Sequence, residues 1–312
     1  MESYSKYTKL MSLFLATRPK FLVASAAPVF VGSTFGFAVT GVFNPLVFVL
    51  ALIAIMALHA GANLTNDYFD HLTGNDWLNR NPTPFSGGSR FIQNGTISPQ
   101  TILTLALSCL AAGSIIGIVI VLLTKSLFIL ILGIIGLLGG FFYTAGPVKL
   151  GYRSIGEVVI FFLFGILPVY ASYYLQTKTI DTIVLLPACI VGLLIFLVIL
   201  INEFGDLNAD AAVNKKTIIV CLGVPAAIWI YRILLITSYL LATTAMFIYK
   251  QAFYAGLFYL FTLPLAIAAI KFANKKDLTE PGRYRPNRTT IQLHTLGNLA
   301  LTVGFVIFAL SS

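Results

Sequence analysis

Nine runs of apolar residues, each about twenty residues long, occupy most of the chain. A helix needs about 20 apolar residues to cross the hydrocarbon core of a bilayer, because each residue adds about 1.5 Å. The runs occupy residues 21–40, 45–66, 101–124, 127–145, 154–176, 181–203, 224–248, 252–271 and 291–311. In lipid, a spanning segment must satisfy its own backbone hydrogen bonds, so we expect these runs to be helical. The pattern therefore predicts an all-α, polytopic membrane protein with nine transmembrane helices.

The amino-acid composition argues against a water-soluble fold of this length. Of the 312 residues, 58% are hydrophobic and 10% are charged. Soluble domains carry about 25% charged residues. The interior of a soluble domain is too small to hide this much apolar surface, so lipid must be the solvent for much of the chain.

The Lys and Arg residues are distributed unevenly between the two ends of the predicted helices. Sixteen of the twenty lie in the N-terminal segment or in the loops after even-numbered runs, and three lie in the opposite loops. Because basic residues concentrate in cytoplasmic loops, we expect the N-terminus and the loops after even-numbered runs to face the cytoplasm. Membrane topology then accounts for the net charge of +9, and we expect no nucleic-acid partner. The chain is predicted to be a multi-pass protein of the cell or inner membrane.

Two acidic motifs end the second and sixth apolar runs, on the predicted cytoplasmic side. Each has an Asn four residues before an Asp, and a second Asp follows: Asn63, Asp67 and Asp70 in the first motif, and Asn202, Asp206 and Asp210 in the second. Residues three or four apart lie on the same face of a helix, so each motif predicts one acidic face.

Carboxylates at the end of a membrane span are costly unless they are paired or bound to a cation. Like charges on one helix face also repel each other, and a divalent cation removes both costs. Hard oxygen ligands near a phosphate suit Mg²⁺, which usually binds one or two carboxylates plus substrate phosphates. Two alternatives remain open: the acids could be ordinary solvated loop residues, or they could form a proton or cation relay.

Four stretches around these motifs carry a resemblance to a known family. They are Asn63–Asp76 (NLTNDYFDHLTGND), Pro84–Arg90 (PFSGGSR), Tyr143–Glu157 (YTAGPVKLGYRSIGE) and Asn202–Thr217 (NEFGDLNADAAVNKKT). The chain resembles the UbiA superfamily of intramembrane prenyltransferases, and within it the 1,4-dihydroxy-2-naphthoate polyprenyltransferase branch. In the 4-hydroxybenzoate branch an Asp stands where this chain has Gly74. Here the third acid is Asp76, as in the naphthoate branch.

The resemblance implies Mg²⁺-dependent transfer of a polyprenyl group from an allylic polyprenyl diphosphate to an aromatic acceptor, for this branch 1,4-dihydroxy-2-naphthoate in menaquinone biosynthesis. It implies two or more Mg²⁺ ions held by Asp67, Asp70, Asp76, Asp206 and Asp210. The expected catalytic residues are Asp67, Asp70, Asp206, Asp210 and Lys149. The expected substrate-binding residues are Asn63, Asn202, Arg18, Arg80, Arg90, Tyr143, Tyr152, Arg153 and Lys216.

Among these residues we expect Arg80, Lys149 and Lys216 to contact the diphosphate, where cations stabilise the charge of the leaving group. Tyr143 and Tyr152 are candidates for stabilising an allylic cation with their aromatic faces.

The implied architecture is a single domain over residues 1–312, with a central cavity open to the cytoplasm and a lateral route for the lipid tail. Loops at about 71–100 and 204–222 would cap this cavity, and we expect short helices in the first because long structureless loops are uncommon. Two other functions are open from the sequence. One is cyclisation of a prenyl diphosphate without an acceptor, and the other, from a different class, is ion-coupled membrane transport.

Overall fold

The protein is described by a computed structural model that covers residues 8–79, 82–280 and 282–312, and within these ranges it contains helices and no β-strand. The α-helices are α1 (Lys9–Ala16), α2 (Val23–Thr40), α3 (Pro45–Thr73), α4 (Asn75–Leu78), α5 (Pro99–Thr124), α6 (Leu127–Phe142), α7 (Gly156–Phe161), α8 (Leu167–Thr177), α9 (Leu185–Ala212), α10 (Ile218–Ile248), α11 (Phe253–Leu260), α12 (Leu263–Phe272), α13 (Lys275–Thr279) and α14 (Arg285–Ser311). A π-helical turn, Phe162–Ile166, joins α7 to α8. The all-α prediction is confirmed.

Each of the nine predicted runs coincides with a helix or with two consecutive helices. Within the described ranges, seven helical segments are long and apolar enough to cross a membrane, and the pair α11 and α12, bent by 53°, makes an eighth if it is one span. The remaining run contains α6, an apolar helix of 16 residues, which is shorter than a usual span. The chain is therefore an integral membrane protein, and the number of nine spans stays a prediction.

Helix α9 lies at the centre of the bundle and packs against α10, α14 and the α7–α8 segment. The π turn approaches α9 closely, and a Cβ atom added to Gly165 would lie 2.2 Å from the Cα atom of Gly192. Two residues without side chains thus let the two backbones meet, as is common in membrane helices. The turn precedes Pro168, which has no N–H to donate to an α-helical bond. This close contact with the π turn fixes the position of α9 in the bundle.

The two acidic motifs lie in the last turns of long helices. Helix α3 continues to Thr73 and α9 continues to Ala212, beyond the ends of the apolar runs. The predicted cap at 204–222 is therefore mostly helical, and only Val213–Thr217 connects α9 to α10. The first cap contains one short helix, α4, as expected. Hydropathy places the helix ends too early because polar side chains can continue a helix once neighbouring segments satisfy them.

Candidate active site

The C-terminal ends of α3 and α9 lie close together. The short helix α4 follows α3, and side chains at its two ends hydrogen-bond to α9. Just after α3, Asn75 donates a hydrogen bond from Nδ2 to Asp210 Oδ1 at 3.0 Å. One helical turn later, Asn79 donates from Nδ2 to Asp206 Oδ1 at 2.6 Å. Residues of the first motif region therefore hold both carboxylates of the second. The two acidic faces are parts of one site.

Asp67 is buried and ion-paired with Arg18, whose guanidinium donates to Asp67 Oδ1. The backbone N–H of Ser89, in the loop before α5, donates to both Asp67 carboxylate oxygens at 3.3 Å. Burial alone would lower the pKa of Arg18, but the carboxylates of Asp67 and Asp76 raise it above its ordinary value. Arg18 is thus a fixed positive charge beside the first motif.

Asp70 is bound by a tyrosine from the segment after α6. Tyr152 donates its hydroxyl hydrogen bond to Asp70 Oδ1 at 2.7 Å, and Asn66 Nδ2 donates to Asp70 Oδ2 at 2.8 Å. Burial and the nearby Asp70 charge raise the pKa of Tyr152, so this tyrosine remains a hydrogen-bond donor. Tyr152 therefore orients the second acid of the first motif.

Asp76 lies in α4, and only 3% of its surface is exposed. Gln93 Nε2 donates to Asp76 Oδ2 at 3.2 Å, and the guanidinium of Arg90 donates to the backbone carbonyl of Asp76. Burial, together with the charges of Asp70 and Asp67, raises the pKa of Asp76 to about 7. A bound cation would offset this crowding of negative charge.

Lys215, in the α9–α10 connection, brings a positive charge to the second motif. Its Nζ atom lies 3.3 Å from Asp210 Oδ1 and 5.6 Å from the ring centroid of Tyr152. Burial alone would lower the pKa of Lys215, but Asp210, Asp70 and Asp206 raise it well above its usual value. Arg18 and Lys215 thus provide one cation on each side of the site.

A cavity of about 220 Å³ lies between the acidic faces, with polar walls at the helix ends and apolar walls toward the bundle. A second cavity, of about 300 Å³ and mostly apolar, adjoins it between α3, α5, α6 and α8. The two share the wall residues His59, Ala62, Gly140, Leu163 and Phe164. A ligand with a charged head and an apolar tail could therefore occupy both.

The structure brings most of the predicted site residues to this cavity. Those that line it are Arg18, Asn63, Asp70, Asp76, Tyr143, Asn202 and Asp206. Four others are hydrogen-bonded or ion-paired to wall residues, namely Asp67, Asp210, Arg90 and Tyr152.

Three predicted cations lie elsewhere among the described residues. The Nζ atom of Lys149 lies 5.2 Å from the ring centroid of Tyr152, and the guanidinium of Arg153 donates to the Val148 carbonyl at 2.7 Å. The side chain of Lys216 is exposed. None of the three lines the cavity. Arg80 lies outside the described residues.

Several wall residues are not among the site residues predicted from the sequence. They are Asn66, Asn75, Asn79, Ser86, Gly87, Gly88, Glu203 and Lys215. A signal existed for three of them. Asn66 stands four residues before Asp70, and Asn75 and Asn79 share the same i, i+4 spacing that marks the two motifs. Which of the adjacent lysines, Lys215 or Lys216, lines the cavity depends on the backbone conformation of the α9–α10 connection.

The oxygen donors of this site fit a hard divalent cation such as Mg²⁺ that is bound partly by the protein and partly by the substrate. Among the described residues, no group of three or more His, Cys, Asp or Glu side chains is placed to hold an ion alone. In the same ranges, Asp210 Oδ2 and Asn75 Oδ1 are buried oxygens without a hydrogen-bond partner. Mg²⁺ commonly takes one or two carboxylates and completes its shell with phosphate oxygens and water.

Gly88→Ala is expected to lower both stability and activity. Gly88 has a φ of +76°, and a Cβ atom there would lie 2.6 Å from Asp76 Oδ2. The left-handed backbone costs a residue with a side chain about 1–2 kcal/mol, and the crowding displaces the Asp76 carboxylate. Thermal unfolding in detergent measures the first effect, and Mg²⁺-dependent release of diphosphate from an allylic prenyl diphosphate measures the second.

Gly95→Ala is the matched control for this substitution. Gly95 has a φ of +69°, and nothing lies within 4 Å of a Cβ atom added there. The control should show the same loss of stability and wild-type activity. Equal activity of the two variants would contradict the role of Gly88 in placing Asp76.

Comparison with known proteins gives the family that the sequence motifs resemble, and the match extends over almost the whole chain. The profile of the UbiA prenyltransferase family matches residues 25–309. The chain is similar to the 1,4-dihydroxy-2-naphthoate octaprenyltransferase of Escherichia coli, with 31% identity over 297 residues covering 93% of each protein. It is similar to the Haemophilus influenzae enzyme of the same name, with 37% identity over 221 residues covering 69% of this chain and 70% of that protein.

The fold is shared with a protein of solved structure. A UbiA homologue from Archaeoglobus fulgidus, bound to DMAPP and Mg²⁺, superposes with a TM-score of 0.72 at 17% identity, covering 96% of this chain and 99% of that chain. At this identity the likeness concerns the fold alone. Together, the family profile, the relatives and the two acidic helix ends place the chain in the UbiA prenyltransferase family.

Proposed function

We propose that this protein transfers a polyprenyl group from an allylic polyprenyl diphosphate to 1,4-dihydroxy-2-naphthoate, in menaquinone biosynthesis. The observation that carries the proposal is the meeting of two acidic helix ends over a polar cavity that adjoins an apolar one. This arrangement matches a substrate with a diphosphate head and a hydrocarbon tail. The naphthoate acceptor is supported by the names of the relatives from Escherichia coli and Haemophilus influenzae.

The polar cavity is the proposed site of the diphosphate. The carboxylates of Asp67, Asp70, Asp76, Asp206 and Asp210 would hold Mg²⁺. When bound, the ions would neutralise the charge that develops on the leaving diphosphate. Arg18 and Lys215 are fixed cations on opposite sides of the cavity and would stabilise the same charge.

The apolar cavity is the proposed chamber for the polyprenyl tail. Its walls are mainly aliphatic, and small residues such as Gly117, Gly133 and Gly136 leave space along it. An apolar chamber protects the allylic cation from capture by water, because few polar groups there can hold water near the reacting carbon. This cavity is only partly enclosed, which suits a lipid substrate that enters from the membrane.

The active site is proposed to face the cytoplasm. The acidic helix ends share a side with the loops that carry most Lys and Arg residues, which the positive-inside rule assigns to the cytoplasm. With α6 and the bent pair α11–α12 counted as spans, the chain would cross the membrane nine times.

One assay tests the function. The purified protein is incubated with Mg²⁺ and geranylgeranyl or longer diphosphate, with and without 1,4-dihydroxy-2-naphthoate, and products are identified by mass. We expect a prenylated, decarboxylated product that requires Mg²⁺ and the acceptor. A cyclic hydrocarbon formed without the acceptor would identify a cyclase instead. Ion flux across vesicles without diphosphate release would identify a transporter.

A further inference from the structure

Two buried glutamates lie outside the set of carboxylates predicted to bind Mg²⁺. Glu157 lies in the first turn of α7, and Glu203 lies on α9 one turn before Asp206. Glu157 is 0% exposed and Glu203 is 9% exposed. Among the described residues, the Oε2 atoms of both are buried without a hydrogen-bond partner. A buried carboxyl oxygen without a partner is costly unless a bound ligand supplies that partner.

The two glutamates form a pair. Glu157 Oε1 accepts the backbone N–H of Ile218 at 2.5 Å, which fixes Glu157 against the start of α10. The Glu203 carboxyl lies beside the Glu157 carboxyl. Glu157, anchored on the backbone of α10, thus borders the position that the Glu203 side chain occupies.

Glu203 is the member of the pair that lines the cavity, and Tyr143 and Ile160 line it too. On α9, the lining residues Ile195, Ile199 and Glu203 follow at four-residue spacing and therefore share one helix face. The Tyr143 ring is held in place by backbone, since a Cβ atom added to Gly151 would lie 2.7 Å from its Cε1 atom. This end of the cavity combines apolar walls with one carboxyl group. It would repel a diphosphate, and it suits a flat aromatic ring that carries a hydroxyl group.

We propose that Glu203 is a catalytic residue that accepts the proton of a ring hydroxyl of the aromatic acceptor, and that Glu157 is its positioning residue. This inference rests on the proposed function. In the step, the hydroxyl O–H bond breaks and its proton moves to Glu203. The oxygen electron pair moves into the ring, and the adjacent ring carbon, which bears the carboxylate, bonds to the allylic carbon. The allylic C–O bond breaks, and its electron pair leaves with the diphosphate.

The step returns Glu203 to its starting state. The alkylated intermediate is a ketone with a carboxylate on the neighbouring carbon. Carbon dioxide then leaves, and the electron pair of the broken C–C bond restores the aromatic ring. The ring oxygen takes the proton back from Glu203. No oxidant or additional base is needed.

The test compares Glu203→Gln with Glu280→Gln. Glutamine keeps the size of the side chain and cannot accept the proton. Glu280 is exposed and ion-paired with Arg283, and it has no role in the proposed chemistry. We expect Glu203→Gln to lower kcat for transfer to dihydroxynaphthoate by about 100-fold or more, as expected when a general base is lost. Its affinity for a non-hydrolysable thio-diphosphate analogue of the prenyl substrate should equal that of the wild type. Glu280→Gln should match the wild type in both.

Three other results of this comparison would each overturn the inference, and they differ in what they say about Glu203 and the proposed function. If Glu203→Gln keeps the wild-type kcat and the wild-type KM for the acceptor, the inference is wrong. If it loses analogue binding together with activity, Glu203 serves the diphosphate or the fold, and the inference is again wrong. If the wild type binds the analogue yet transfers nothing to the acceptor, the proposed function fails and the inference fails with it.

The positioning role of Glu157 has its own readout. Glu157→Gln retains an oxygen that can accept the Ile218 N–H, so the start of α10 keeps its bond. We expect this variant to raise KM for the acceptor and leave KM for the prenyl diphosphate unchanged. Equal increases in both constants would indicate a structural role only and would overturn the assignment of Glu157.

Discussion

Asp67→Asn and Asp206→Asn are each expected to lower Mg²⁺-dependent diphosphate release by at least about 100-fold, the effect typical of losing one group that stabilises transition-state charge. Asp67 belongs to α3 and Asp206 to α9, so each substitution removes a carboxylate from one of the two acidic faces. Asparagine has the same size and still offers an oxygen to Arg18 or Asn79, but it has no charge to hold a cation. Released diphosphate, measured after conversion to phosphate by a pyrophosphatase, gives the rate.

The control for these substitutions is Asp277→Asn. Asp277 is ion-paired with Arg283 at 2.8 Å on the surface, and exposed pairs contribute little to stability. This variant should keep the wild-type rate, and all three variants should elute as the wild type does in size-exclusion chromatography. If both motif variants were folded and fully active, the assignment of the metal site would be wrong.

The sequence predicts those parts of the fold that depend on local physics. Each apolar run is recognisable because a helix in lipid needs about 20 apolar residues, whatever its neighbours are. The sequence also predicts that the acids of each motif share a helix face, because the spacing of Asp67 and Asp70, or of Asp206 and Asp210, fixes that face in any helix. The structure places both motifs in helices, at the ends of α3 and α9.

The parts that could not be predicted depend on contacts between distant segments. Asn79 and Asp206 are 127 residues apart in the chain, and nothing local indicates that they bond. Hydropathy predicts neither the π turn at Phe162–Ile166 nor the 53° bend between α11 and α12, because both segments are apolar throughout. Likewise, a loop cation such as Lys149 or Arg153 can anchor topology or bind substrate, and only the three-dimensional arrangement decides between these roles.

The adjacent lysines of the α9–α10 connection show this limit and lead to a second prediction. Lys215→Met is expected to lower kcat/KM for the prenyl diphosphate by about 100-fold, because a buried cation is lost and Asp210 is left without its charged partner. Lys216→Met is expected to stay within about twofold of the wild type, as surface substitutions usually do. The two variants make the same chemical change one residue apart, so each controls the other.

The backbone of the turn explains the difference between the two lysines. Asn214 has a φ of +56°, which ends α9, and the N–H of Lys215 then bonds to the Asp210 carbonyl at 2.8 Å. The next N–H, of Lys216, bonds to the Tyr152 carbonyl at 3.1 Å. These bonds fix the turn with the Lys215 side chain toward the carboxylates and the Lys216 side chain exposed. A larger loss in Lys216→Met than in Lys215→Met would contradict this placement and return the diphosphate contact to the residue favoured by the sequence alone.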